Sequence, residues 1–187
     1  MTIFKESGLN FTFDDSWEVY QLDSLVDYEK VKRAVPETKC IDFIAFRESD
    51  SCLLFVEVKG FRGHATTENL ARLRGTQDDL TVEIAQKVRD SLAVLTGGAR
   101  NSTNKLQTWK KNMIHLTANG HLKIVAWVEL DVSTETKLQR SKVNLSTKSK
   151  QLKKRLIWLT SDVRVLNTRN YDNEIPGMSI QLTGDNA

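Results

Sequence analysis

Two apolar runs separated by a short polar segment constrain the fold of this 187-residue chain more than any other feature. The first run is residues 41–46 (Ile-Asp-Phe-Ile-Ala-Phe), and the second is residues 53–60 (Leu-Leu-Phe-Val-Glu-Val-Lys-Gly). Runs rich in β-branched and aromatic residues on either side of a turn-forming segment predict the two antiparallel strands of a β-hairpin. In the second run both alternating sets of side chains are apolar until residue 57, which predicts a central strand buried on both faces.

Three charged residues interrupt this hairpin: Asp42 in the first strand, and Glu57 and Lys59 in the second. Residues two apart in a strand point to the same face, so Glu57 and Lys59 are expected side by side. A turn centred near residues 49 and 50 places Asp42 opposite Glu57 or Val58, with Cβ atoms about 5 Å apart. Charges at such apolar positions need a partner or a chemical task. A divalent cation would relieve the repulsion between the two carboxylates, and hard oxygen ligands suit Mg²⁺ or Mn²⁺.

A plainer interpretation is that Lys59 forms an ordinary salt bridge with Glu57 or Asp42 on a polar outer face of the sheet. The dense apolar character of both strands argues against a polar outer face. We therefore favour a cleft at the end of a central strand.

The pattern Asp-x14-Glu-x-Lys on a hairpin resembles the PD-(D/E)XK phosphodiesterase superfamily, which includes type II restriction enzymes and Holliday-junction resolvases. The resemblance implies that Asp42 and Glu57 hold a divalent metal and that Lys59 positions the attacking water. It implies a metal-dependent nuclease, with DNA preferred to RNA as substrate. Ile41 stands where the superfamily's proline would be, and the resemblance covers residues 39–130, about half of the chain.

Superfamily members often take a further metal ligand from an N-terminal helix. Glu18, Asp23 and Glu29 are the candidates here, and their spacing does not choose among them.

Residues 78–95 form the clearest helical pattern, with apolar residues at helical spacing and two aspartates at the start. Gly97 and Gly98 predict its end. The resemblance implies that this helix packs on the sheet and presents a Gln or Lys towards the active site. Lys87 and Ser91 flank the apolar stripe and are the better candidates, whereas Gln86 lies nearly opposite it.

The remaining pattern predicts an α/β fold in a single domain over residues 1–187. Residues 4–13 and 17–22 are expected to form one or two strands, or a strand and a turn, and further strands are expected at residues 121–130 and 163–167. Helices are expected at residues 24–34, 108–116 and 145–159, a loop or short helix at residues 66–76, and a loop or tail from residue 171 onward. The order agrees with the mixed β-sheet flanked by helices of the restriction-endonuclease-like fold, with N-terminal elements and a basic C-terminal helix and strand added to the core.

The formal net charge is only +3, but the charges are unevenly distributed. Half of the 24 acidic residues lie in the first sixty positions, and residues 91–128 and 137–161 contain none. Long basic segments without acids fit a surface that follows a phosphate backbone, although basic residues also commonly solvate helix faces. The candidates for nucleic-acid contact are Arg62, His64, Lys87, Lys110, Lys111, Lys150, Lys153 and Lys154.

Composition limits the other classes of function. No apolar stretch approaches the roughly 20 residues needed to span a bilayer, and the N-terminus lacks a signal-peptide pattern, so we expect a cytoplasmic protein without a membrane partner. Cys40 and Cys52 have the context of small core residues, and the histidines lack zinc-ligand spacing. A homodimer or a partner protein is possible. The alternatives to a nuclease are a catalytically inactive nucleic-acid-binding module and a subunit of a complex. Phage defence, repair and mobile-element biology all suit a small nuclease.

Overall fold

The computed structural model describes residues 1–63, 66–76, 79–101, 115, 120–131, 136 and 145–183. The strands are β1 Thr2–Glu6, β2 Leu9–Phe13, β3 Glu18–Gln21, β4 Phe43–Arg47, β5 Cys52–Gly60, β6 His121–Glu129, β7 Val163–Leu166 and β8 Met178–Leu182. The helices with described bounds are α1 Val26–Ala34, α2 Thr67–Arg74, α3 Leu80–Asn101 and α4 Leu145–Leu156. The predicted helix at residues 108–116 lies outside the described residues, except for His115, which is helical. His64, Lys110 and Lys111 also lie outside the described residues.

Eight described strands form two sheets, and the chain is a mixed α/β fold. The larger sheet has the order β3-β4-β5-β6-β7, in which β4 is antiparallel to both neighbours while β5, β6 and β7 are parallel. Parallel neighbours need a long connection, and here each connection includes helix: α2 and α3 between β5 and β6, and α4 between β6 and β7. The smaller sheet has the antiparallel order β1-β2-β8.

The larger sheet is the middle layer of the molecule. One of its faces packs against the helices, where Leu53 and Phe55 share a core with Leu73, Val88 and Leu152. The other face packs against the smaller sheet through a second apolar cluster that includes β2, β8 and alternate residues of β4, β5 and β6. Because both faces are covered, β5 is buried from Cys52 to Val58, which confirms the prediction of a central strand.

The predicted hairpin is confirmed as the antiparallel pair β4–β5. Phe43 is opposite Val56 and Arg47 is opposite Cys52, so Asp42 immediately precedes the paired part of β4. Cys40 and Cys52 are free, buried thiols and belong to the cores on opposite faces of the sheet. They are core residues, as their context predicted.

The predictions for the end of α3 and for the C-terminal residues are wrong. Gly97 and Gly98 do not end α3, which continues to Asn101. A glycine in a helix interior costs only about 1 kcal/mol relative to alanine, and burial of Val94 and Leu95 holds the helix on the sheet. Residues from 171 onward are not only a loop or tail, because β8 pairs with β2 and buries Met178 in the second core.

Helix α4 ends three residues before the predicted boundary. A hydrogen-bonded turn replaces its last predicted turn, in which the Leu159 N–H donates to the Leu156 carbonyl at 2.8 Å. None of the described helices combines the length and the apolar character required to cross a bilayer.

Candidate active site at the end of the central strand

Asp42 is fixed where the hairpin leaves the sheet. Its carbonyl accepts a hydrogen bond from the Leu22 N–H at 3.3 Å, which extends the pairing between β3 and β4 by one step. Its side chain crosses to β5, where Oδ2 accepts the Val58 N–H at 2.7 Å. The Asp42 carboxylate therefore lies beside Glu57, as the predicted register requires, and its side chain retains 24% exposure.

Glu57 is the most deeply buried charged residue of this region, with 1% of its side chain exposed. Its Oε1 atom lies 2.6 Å from Lys87 Nζ and 3.0 Å from Lys59 Nζ. Its Oε2 atom is also buried and accepts no hydrogen bond from any described residue. Burial raises the pKa of Glu57 to about 7, the negative charge of Asp42 adds to that shift, and the two lysines oppose it.

Lys59 lies between two carboxylates. Its ammonium is 2.8 Å from Glu83 Oε1 on α3, in addition to its contact with Glu57. The other oxygen of Glu83 is paired with Arg72 of α2. Burial alone would lower the pKa of Lys59, but Glu57 and Glu83 outweigh it and raise that pKa, so the ammonium stays charged at neutral pH. The Lys59 side chain is 20% exposed and reaches solvent.

Lys87 projects from α3 onto the end of β5. Its position beside the apolar stripe of α3 predicts that it lies on this side of the helix. Its ammonium contacts Glu57 and lies 3.9 Å from Asp42 Oδ1, so it spans the two carboxylates. Ser91, the other flanking residue, has a structural contact instead, since its hydroxyl accepts the Ile41 N–H at 3.0 Å. Gln86 is exposed.

These contacts join six residues in one network, which we call the carboxylate–lysine cluster. Its members are Asp42, Glu57, Lys59, Arg72, Glu83 and Lys87. Sequence reasoning missed Glu83 and Arg72. Glu83 is four residues before Lys87 on α3, a spacing that places both side chains on one helix face and could have identified it.

The three candidates for a further acidic ligand are separated by the fold. Asp23 follows β3 in a short 3₁₀ turn, and its charge raises the pKa of Asp42 after the larger effect of burial. Glu18 is at the opposite end of β3, paired in register with Phe46. Glu29 lies on α1, and its charge acts on Tyr28 rather than on the cluster. Asp23 is therefore the best placed of the three.

Among the described residues predicted to contact nucleic acid, only Lys87 makes ion pairs within the cluster. Arg62 is exposed just after β5. Lys150, Lys153 and Lys154 are exposed on α4, whose N-terminal part is attached to the start of α3 by the pair Lys148–Asp79 at 3.3 Å.

A divalent cation is compatible with the donors at this site. Asp42 and Glu57 offer two neighbouring carboxylates, and Oε2 of Glu57 is a buried acceptor without a described hydrogen-bond partner. No group of three or more His, Cys, Asp or Glu in the described part of the chain is arranged to hold a metal. Mg²⁺ commonly binds through one or two carboxylates and keeps several waters, so a two-carboxylate site suits it.

Comparisons with protein-family models, with curated proteins and with solved structures gave no match for this chain. The residues themselves must therefore support any functional conclusion.

Proposed function

We propose that the chain is a metal-dependent nuclease that hydrolyses phosphodiester bonds, with DNA preferred to RNA. The observation that carries the proposal is the convergence of Asp42, Glu57 and Lys59 at the end of the central hairpin. Asp42 and Lys59 remain partly open to solvent there, while Glu57 is buried and one of its oxygens accepts no hydrogen bond from a described residue. The proposal is also supported by the chain order of β3, β4, β5, α3 and β6, which is that of the βββαβ core that the sequence resembles once α1, between β3 and β4, and α2, between β5 and α3, are counted as insertions.

Asp42 and Glu57 would hold Mg²⁺ or Mn²⁺. Such a cation, when bound, lowers the pKa of water and offsets negative charge that develops on the phosphoryl oxygens. Strand β5 and the Val58 N–H orient the two carboxylates before any ligand arrives, which reduces the cost of organising the site.

Lys59 acts as a charged donor rather than as a general base. Its ammonium is held by Glu57 and Glu83, and the raised pKa keeps it protonated. A protonated lysine cannot accept the proton of the attacking water, but it can orient that water and stabilise an anionic phosphoryl oxygen.

Purified variants test these roles in cleavage assays with Mg²⁺ or Mn²⁺ and with EDTA. We expect Asp42→Asn and Lys59→Ala each to lower metal-dependent cleavage by about 10²–10³-fold, the loss typical of removing one preorganised electrostatic contact. The matched controls are Asp90→Asn on α3 and Lys123→Ala on β6, two partly exposed residues with ion pairs outside the cluster. Cleavage at the wild-type rate in both cluster variants would exclude this active site.

A second candidate is a nucleic-acid-binding module of the same fold that does not cut. It is favoured by the position of Lys87, whose ammonium spans Asp42 and Glu57 and offsets part of their negative charge without a metal ion. The module would be supported if the protein binds nucleic acid but gives no cleavage product with Mg²⁺ or Mn²⁺, and if Mn²⁺ does not change its melting temperature. Metal-dependent products that EDTA abolishes would exclude it.

A further inference from the structure

The outward face of α4 carries a stripe of exposed residues that the candidate site does not use. Its members follow the spacing i, i+3, i+4, i+7 and i+8 along α4 and into the turn after it, and we call them the Lys–Trp stripe: Lys150, Lys153, Lys154, Ile157 and Trp158. Helix α4 ends at Leu156, and in the turn that follows, the Thr160 N–H donates to the Leu156 carbonyl at 3.0 Å, the i to i+4 spacing of a helical hydrogen bond. On the opposite face of α4, Leu152 and Leu156 are fully buried in the core.

The lysines of the stripe differ from the other cations of α4. Lys148 and Arg155 are both paired with Asp79 at the start of α3. Lys150, Lys153 and Lys154 are exposed, and none of the three makes an ion pair with another described residue. Residues 137–161 contain no acid, so the stripe presents a positive surface without an acid on its own segment.

Trp158 is 62% exposed and Ile157 is 60% exposed at the C-terminal end of the stripe. In contrast, Trp17 and Trp127 are buried in the second core. Surfaces that hold single-stranded nucleic acid combine cations along the phosphates with aromatic rings on which bases stack. The stripe has both components on exposed side chains, the lysines on α4 and Trp158 in the turn after it.

We propose that the Lys–Trp stripe binds a single-stranded segment of nucleic acid, with the lysines on phosphates and Trp158 stacked on an unpaired base. This deepens the proposed function by naming an unpaired strand as the preferred form of the substrate. The proposal rests on the nuclease function only where the bound strand is cleaved. Binding to the stripe does not require the carboxylate–lysine cluster to act.

Three other occupants fit the stripe less well. A bilayer surface would require a broad apolar face, but the apolar face of α4 is buried and only Ile157 and Trp158 project outward. A second copy placed by a two-fold axis would bring the same lysines of both copies together, which like-charge repulsion opposes. A duplex offers its phosphates to the lysines, but its bases are stacked inside and unavailable to an indole.

Binding assays in EDTA separate this surface from catalysis. The probe is a short labelled oligothymidylate, compared with a duplex of the same length by fluorescence anisotropy. We expect Trp158→Ala to weaken oligothymidylate binding by about 5- to 150-fold and Trp158→Phe to retain most of the affinity, because stacking needs an aromatic ring. Val35→Ala, at another exposed apolar residue, is the matched control and should leave binding unchanged.

The salt dependence tests the lysines. The triple variant Lys150→Gln, Lys153→Gln, Lys154→Gln should lower the slope of log affinity against log salt by about 2, since each single-strand phosphate contact contributes about 0.7. The corresponding triple change on α1, Lys30→Gln, Lys32→Gln, Arg33→Gln, should leave the slope unchanged. Melting temperatures confirm that each variant is folded.

Several results would overturn the proposal: equal affinity of wild type and Trp158→Ala for oligothymidylate, equal wild-type affinity for single strand and duplex, or binding to phosphatidylserine vesicles that Trp158→Ala abolishes. The two proposals fail separately. Trp158-dependent binding without metal-dependent products would refute the nuclease and support the stripe, whereas metal-dependent cleavage with Trp158-independent binding would do the reverse.

Discussion

Two buried glutamates, Glu57 and Glu129, occupy neighbouring strands and have opposite surroundings. They lie near the carboxyl ends of the parallel pair β5 and β6, and only 1% and 3% of them is exposed. Glu129 faces the smaller sheet, where its oxygens accept hydrogen bonds from Trp127 Nε1 and from the backbone and hydroxyl of Thr168, at 2.8–3.1 Å. Glu57 faces the helices, where one oxygen contacts two ammonium groups and the other accepts no hydrogen bond from a described residue.

The difference separates a carboxyl group with a structural role from one whose geometry fits the proposed metal ligand. Buried polar groups normally find hydrogen-bond partners, and Glu129 follows that rule through neutral donors of its own fold. Glu57 departs from it: a second carboxylate lies next to it, and Lys87 supplies charge without satisfying both oxygens. Burial by itself therefore does not distinguish a candidate functional residue, whereas an unsatisfied oxygen beside a like charge makes Glu57 such a candidate.

The largest expected contrast between the two glutamates is in cleavage. Glu57→Gln should lower Mg²⁺-dependent hydrolysis by about 10²–10³-fold, because the amide cannot supply the negative charge that a cation requires. Glu129→Gln, which retains a carbonyl acceptor and lies on the other face of the sheet, should stay within a few-fold of wild type. Initial rates on a labelled oligonucleotide measure both. Similar rates for the two variants would mean that the unsatisfied oxygen has no catalytic significance.

For stability the two glutamates should rank in the opposite order, with Glu129 the more important. Glu129→Ala removes the acceptor of the buried Trp127 indole N–H and of the Thr168 backbone N–H, which should lower the free energy of unfolding by about 3 kcal/mol. Glu57→Gln should change it by less than about 1 kcal/mol, because Lys59 keeps Glu83 and Lys87 keeps Asp42 as partners. Urea unfolding with a common slope gives both values. A larger loss for Glu57→Gln would assign Glu57 the structural role.

The sequence alone predicted the elements that have a clear local pattern and a packing partner close in the chain. The hairpin and its register, β6 and most of α3 follow from alternation or helical spacing, and they place Asp42 beside Glu57. Strand β8 was missed because it pairs with β2 at the other end of the chain, which no local pattern reveals.

The network around the site also depends on tertiary packing. The position of Lys87 beside the apolar stripe indicated its side of the helix, but only the packing of α3 on the sheet brings it to Glu57 and brings Glu83 to Lys59. Trp158 was overlooked for a different reason. Its indole is outside the core, and the stripe becomes evident only when the helical spacing is continued beyond the end of α4.

The smallest contrast expected is in the pH dependence of stability in EDTA. The pKa of Glu57 is raised from 4.5 to about 7 by burial and by Asp42, so the folded state binds more protons than the unfolded state between these values. Stability is then fully present at low pH and falls as pH rises through about 7, by about 2 kcal/mol between about pH 5 and pH 8. The pKa of Asp42 is raised by burial and contributes in the same direction. Glu57→Gln should flatten the profile, as measured by urea unfolding at each pH. Parallel profiles for wild type and Glu57→Gln would show that the folded state does not hold the proton of Glu57 more tightly than the unfolded chain does.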